Sequence, residues 1–169
     1  MFELVYSAKK KTYTEQVLYR FGGNPDGDTP YAGLIFDKLG NLYGTTIYGG
    51  ANGYGTVFEV TTGGVESVLY SFCSQPSCTD GKYPAAPLLQ DKNGNLYSTT
   101  GEGGTSNMGT VFELPTGGEE KVLWSFTGPP DGRGPSQGAL VQDKKGNLYG
   151  STEYGGTNNF GAVFKVPPK

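Results

Sequence analysis

Short apolar and aromatic runs alternate along this chain with clusters of Gly, Asn, Asp and Pro. Leu42-Tyr43-Gly44-Thr45-Thr46, Thr56-Val57-Phe58-Glu59-Val60 and Val68-Leu69-Tyr70-Ser71-Phe72 are representative. Each run is rich in β-branched and aromatic side chains and ends at turn formers, which predicts strands. No stretch places apolar residues at helical spacing between caps. The fold class is therefore all-β.

The runs recur in a fixed order. Val17-Leu18-Tyr19-Arg20-Phe21 returns as Val68 to Phe72 and as Val122-Leu123-Trp124-Ser125-Phe126. An Asp-Gly-x-x-Pro turn starts at Asp26, Asp80 and Asp131, and Asp-x-x-Gly-Asn-Leu-Tyr starts at Asp37, Asp91 and Asp143. A Gly-(Thr/Ala)-Val-Phe run starts at Gly55, Gly109 and Gly161. Asp37 to Asp91 is 54 positions and Asp91 to Asp143 is 52. A period near fifty marks a tandem repeat.

Each unit predicts four antiparallel strands. Position one covers 33–36, 87–90 or 139–142; position two is Leu42–Thr46 and position three Thr56–Val60, with their equivalents; position four covers 67–72. The Gly of Asp-x-x-Gly-Asn supplies a hairpin with a bulge, and the Asp can accept amide hydrogens across it. A repeated four-stranded meander is the pattern of a β-propeller blade. A right-handed solenoid is the runner-up, though its repeats are usually shorter. The chain reads as one repeat domain, 1–169. Residues 1–21 supply strands that complete a blade, with position four over 15–21. The three repeats are 22–72, 73–126 and 127–169, the last lacking its fourth strand. Three blades are too few for an ordinary ring. The expectation is self-association, either as a homodimer of six blades or as an open head-to-tail assembly.

Composition adds restraint. Gly 29 and Pro 11 fit a turn-rich chain. A net charge of -3 without a basic stripe argues against nucleic acid. No apolar stretch is long enough for a membrane span, and the first residues lack a signal-peptide core, as in a piece of a larger product. Cys73 and Cys78 form a short pair, read as a local disulfide, with an oxidising compartment as the corollary. The chain has no His, so no metal cluster or cofactor is expected; calcium on Asp and backbone oxygens is conceivable but nothing indicates it.

The motifs Val-Leu-Tyr-Ser-Phe, Asp-Gly-x-x-Pro-x-Ala-x-Leu, Asp-x-x-Gly-Asn-Leu-Tyr-Gly-Thr-Thr and Gly-Thr-Val-Phe-Glu-Leu together resemble the bacterial extracellular tandem repeats called GloVer. The Asp-x-x-Gly-Asn hairpin is also similar to that of NHL-type propeller blades. The resemblance covers essentially the whole chain. It implies an extracellular or surface-anchored repeat protein and no established activity.

In a meander, alternate connections share a face. The position two-to-three and four-to-one loops carry the richer sequences and are the expected site. One column stacks Tyr48, Glu102 and Tyr154, and beside it lie Asn52, Ser106, Asn107 and Asn158. The Asp-Gly turns add Asp80, Lys82, Asp131 and Arg133. Rings that stack on sugars and polar groups that bind hydroxyls suggest a binding or adhesive module with a glycan ligand. The plainer reading gives Asp26, Asp80 and Asp131 to turns and Tyr54, Met108 and Phe160 to packing between blades. A structural subunit of a surface assembly is the alternative function. A carboxylate- or metal-dependent hydrolase, for example through Glu102 and Asp80, is a distant one, because no catalytic motif is present.

Overall fold

The computed structural model describes residues 2–135 and 137–168. β1 (Phe2–Ser7) and β2 (Thr12–Val17) open the chain as a hairpin. The first unit then runs β3 (Gly27–Asp28), β4 (Ile35–Phe36), β5 (Leu42–Thr46), β6 (Tyr48–Gly49), β7 (Thr56–Val60) and β8 (Glu66–Ser71). The second runs β9 (Leu89–Gln90), β10 (Leu96–Thr100), β11 (Thr110–Leu114) and β12 (Lys121–Ser125). The third runs β13 (Gly132–Arg133), β14 (Val141–Gln142), β15 (Leu148–Thr152), β16 (Tyr154–Gly155) and β17 (Ala162–Val166). The sheets are antiparallel, ordered β4-β5-β7-β8, β9-β10-β11-β12 and β14-β15-β17. Small ribbons β3-β6 and β13-β16 flank the first and third. A 3-10 turn, Pro76–Cys78, lies in a loop closed by the Cys73–Cys78 disulfide. Among the described residues no helix is long and apolar enough to cross a membrane.

Register repeats with the sequence. Leu42 faces Val60, Leu96 faces Leu114, and Leu148 faces Val166. A bulge falls between Val57 and Phe58 and again between Val111 and Phe112, increasing local twist at the same place in each unit. The hairpin after position one is fixed by Gly40, Gly94 and Gly146, all at positive φ, and by an Asp that accepts amide hydrogens across the turn.

The core lies between units. Val57 packs with Phe72 and with Leu88, Leu96 and Phe112 of the second unit. Val111 packs with Phe126 and with Leu140, Leu148 and Val166 of the third. At every seam a Phe from the preceding position four meets a Phe of position three edge-on: Phe21 on Phe58, Phe72 on Phe112, Phe126 on Phe164, with centroids 4.9 to 5.1 Å apart. Burying such a ring stabilises by roughly 1.5–3 kcal/mol, and the edge-on contact adds about 0.5–1.5. Backbone bonds repeat too: the Tyr83 amide donates to Tyr54 O, and the Gly134 amide to Met108 O.

Three features depart from the sequence reading. Position one is only two residues in each unit, not four. In the second, buried Ser98 Oγ contacts Ala86 O and Pro87 O, so those carbonyls are satisfied by a side chain instead of a ladder. The first position-four strand is Thr12–Val17, not 15–21. Beyond it, Leu18, Tyr19 and Phe21 turn onto Leu42, Phe58 and Val60 of the first unit, which draws the backbone off the ladder. The later position-four strands also end before Phe72 and Phe126, whose amides donate to Gly55 O and Gly109 O. The ribbons were not anticipated: close approach of Gly27 to Gly49 and of Gly132 to Gly155 creates them.

Candidate functional site

The ribbons define the loop face. Each pairs the third residue of an Asp-Gly turn with the variable column, Asp28 opposite Tyr48 and Arg133 opposite Tyr154, and an isolated bridge sets Lys82 opposite Glu102 in the second unit. Lys82 Nζ lies 3.1 Å from Glu102 Oε2, the one ion pair among the described residues. The same ammonium stands 5.8 Å from the Tyr54 ring centroid and 5.4 Å from that of Tyr83. Tyr48 and Tyr54 each lie 5.6 Å from Tyr83. Tyr48, Tyr54, Tyr83, Lys82 and Glu102 therefore form one cluster across the first seam. Across the second, Arg133 stacks over Tyr154 at 5.0 Å. The Tyr154 phenol is pushed above its ordinary range, chiefly by a hydrogen bond to the Glu153 carboxylate. Tyr48 and Tyr154 remain 48% and 40% exposed, leaving ring surface for a ligand.

Most of the remaining expected contacts are engaged within the chain. Asp80 is 1% exposed, which removes it as a ligand contact. It accepts from Tyr70 OH at 2.8 Å and from the Ser74 amide and hydroxyl. Asp131 accepts from Trp124 Nε1 and the Thr127 amide, and Asp26 from Tyr19 OH and the Gly22 amide. Asn107 sits at φ 54 and accepts from the Gly103 amide, a turn role. Asn52 donates to Phe72 O at 3.0 Å. Asn158 is exposed on the loop face. Met108 packs against the second seam, whereas Phe160, its equivalent in the third unit, is 91% exposed, so packing between blades does not account for the whole column. Glu102 is engaged by Lys82, and Asp80 by Tyr70 and Ser74. Among the described residues no three His, Cys, Asp or Glu side chains converge as a metal site.

Another carboxylate accompanies Asp80. Glu120, at the start of the second position-four strand, is pushed up to about 8 by burial and then by the Asp80 charge, and its Oε1 is buried without a hydrogen bond. Glu66 repeats this toward Asp26 one seam earlier, also raised first by burial.

Two concavities lie on the opposite, hairpin face, where sequence reasoning placed no site. One groove of about 500 Å³ runs between the first and second units, and another of about 490 Å³ between the second and third. Each contains a tyrosine held by two carboxylates. Tyr43 OH is 2.8 Å from Glu59 Oε1 and 3.3 Å from Asp37 Oδ2; Tyr97 OH is 3.1 Å from Glu113 Oε1 and 3.3 Å from Asp91 Oδ2. One phenolic proton is shared by both acceptors. Tyr97 is pushed up to about 12, first by burial and then by Glu113; Tyr43 moves the same way. Asp37 is partly desolvated, which opposes ionisation, yet donors from Asn41 and Leu39 hold it below its ordinary range. Asp143 falls to about 2, chiefly through the Asn147 side-chain amide. The available signal was period-two alternation, which puts Tyr43 opposite Glu59 and Tyr97 opposite Glu113.

The chain belongs to the Gloeobacter/Verrucomicrobia repeat family, whose pattern matches residues 3–169. A search of curated proteins gave no match. Among solved structures it is similar to an X-ray structure provisionally described as a gluconolactonase, with a TM-score of 0.51 and 18% identity. That alignment covers 93% of this chain and 54% of the other, so this chain spans about half the neighbour's length. The likeness supports a β-propeller-like all-β fold.

Proposed function

We propose that this chain is an extracellular β-propeller repeat module that binds glycan through its loop face. The observation that carries the reading is the tyrosine cluster at the first seam, where exposed ring surface lies beside the Lys82–Glu102 pair. Rings stack on the apolar faces of sugars, and the flanking donors and acceptors fix hydroxyls. The disulfide favours an oxidising compartment. The test is a glycan array followed by titration calorimetry. Tyr48→Ala should weaken binding about tenfold, the scale of one aromatic contact of roughly 1.4 kcal/mol. No binding to any glycan, or an unchanged affinity for the variant, would overturn it.

A second reading, self-association, is favoured by Val163. Val57 and Val111, its equivalents, are fully buried beneath the next unit, whereas Val163 is 84% exposed. A further unit of the same kind would cover it. Two copies of this chain would supply six units. Light scattering over a dilution series should give twice the 17.9 kDa chain mass; a monomer throughout would count against it. The gluconolactonase likeness hints at hydrolysis only distantly, since 18% identity carries the fold alone.

A further inference from the structure

We infer that the two grooves of the hairpin face form one continuous second subsite for a linear, uncharged, hydroxyl-rich chain lying across successive units. This rests on the glycan reading above, but it places ligand on the opposite face.

The grooves are equivalent by construction. Tyr43 and Glu59 in the first correspond to Tyr97 and Glu113 in the second, and the volumes agree at about 500 and 490 Å³. Asp91 and Lys92 line both, so the grooves adjoin. Such a pair suits a ligand that itself repeats, because each unit of length meets the same groups again.

Charge selects the class. In the first groove Asp37, Glu59 and Asp91 face Lys38 and Lys92. In the second Asp91, Glu113 and Asp143 face Lys92, Lys144 and Lys145. The balances are −1 and zero, which attract neither a polyanion nor a polycation. Donors and acceptors nevertheless alternate densely. The Asp charges are held by turn amides, and none of these lysines is ion-paired among the described residues. Each Asp already accepts four hydrogen bonds, from two turn amides, an Asn side chain and a Tyr hydroxyl, so the acceptors left for hydroxyls are the Glu59 and Glu113 carboxylates and the donors are the lysine ammoniums. Leu39 and Leu69 in the first groove, and Pro167 and Pro168 in the second, supply exposed apolar surface for the carbon faces of sugar rings.

The test is calorimetry of the full chain with neutral β-glucan oligomers of two, four and six residues and with a six-residue oligogalacturonate. Three variants accompany the wild type. Asn93→Trp fills the first groove from an exposed turn position, Lys92→Ala removes the shared donor, and Tyr48→Ala reports on the loop face. The expected result is that the hexamer binds at least about tenfold tighter than the dimer, because reaching the second groove makes that contact intramolecular. Asn93→Trp and Lys92→Ala should each remove this length dependence, while Tyr48→Ala leaves it. Should Asn93→Trp not fold, Lys92→Ala alone decides. Length dependence that survives in the folded groove variants but vanishes in Tyr48→Ala overturns the inference and leaves the loop-face reading intact. Tighter binding of oligogalacturonate overturns the uncharged class. Failure of every neutral oligomer to bind overturns the groove inference; if the glycan array is also blank, the loop-face reading falls with it.

Discussion

Glu120→Gln should make this protein more stable at neutral and alkaline pH. The carboxyl sits beside Asp80 with one oxygen buried and unbonded, and it ionises only near 8, whereas an ordinary Glu does so near 4.5. Between those values the unfolded chain carries the charge and the folded chain carries the proton. Stability is therefore greatest below about 4.5 and falls as pH rises toward 8. At 1.36 kcal/mol per pK unit the full displacement corresponds to roughly 5 kcal/mol. Residual hydration and local relaxation reduce this to about 2 kcal/mol as a realistic expectation. The glutamine keeps the shape, removes the charge, and can donate toward Asp80. Tyr70 is the other titratable group near the pair. The assay is urea denaturation of both proteins at pH 5 and pH 9. The two should nearly coincide at pH 5 and separate by about 2 kcal/mol at pH 9 in the variant's favour. A constant difference at both values, or a less stable variant at pH 9, would refute the reasoning.

Phe112→Ala removes a fully buried ring that spans the first seam to Phe72. It should cost about 3–5 kcal/mol in chemical denaturation, and a cost under about 1 kcal/mol would show that the seam is not the core. Asp143→Asn should destabilise the protein near neutral pH and have no effect in strong acid. Because the native carboxyl ionises near 2, its contribution is present above the ordinary carboxyl range and is lost as pH falls toward 2. Melting temperatures of wild type and variant should therefore converge at the lowest pH. Reduction of Cys73–Cys78 should lower stability by about 2 kcal/mol, the scale for so short a loop, without unfolding the chain. Circular dichroism melts with and without reductant measure it.

Much of the fold was legible. Repeated landmarks located the strands at positions two and three to the residue, because alternation and turn chemistry are local and recur. Position one was overestimated: Pro87 and Leu88 were read as strand, and only the neighbouring Ser98 hydroxyl, which satisfies the Pro87 carbonyl, makes a ladder unnecessary there. The leading strand was misplaced because residues 18–21 match a later strand in sequence but pack on a neighbouring unit. The loop-face site was partly legible. Tyr48, Lys82, Glu102, Arg133 and Tyr154 were named singly, but their pairing depends on ribbons made by glycine contacts distant in sequence. Asp80 looked available because an Asp-Gly turn reads as exposed; the disulfide loop and Tyr70 enclose it.

The sequence by itself determined the repeat, the all-β class, the order of strands, the hairpin turns and the apolar runs whose successive residues, such as Val57 and Phe58, cover opposite faces of a sheet. These follow from short-range sterics and from which residues avoid water. Tertiary structure alone decided what happens between units: which Phe meets which, that Glu120 lies beside Asp80, and that the grooves open on the hairpin face. Those contacts join residues tens of positions apart, and their energies depend on dielectric and geometry set by the packed neighbour, which no local pattern encodes.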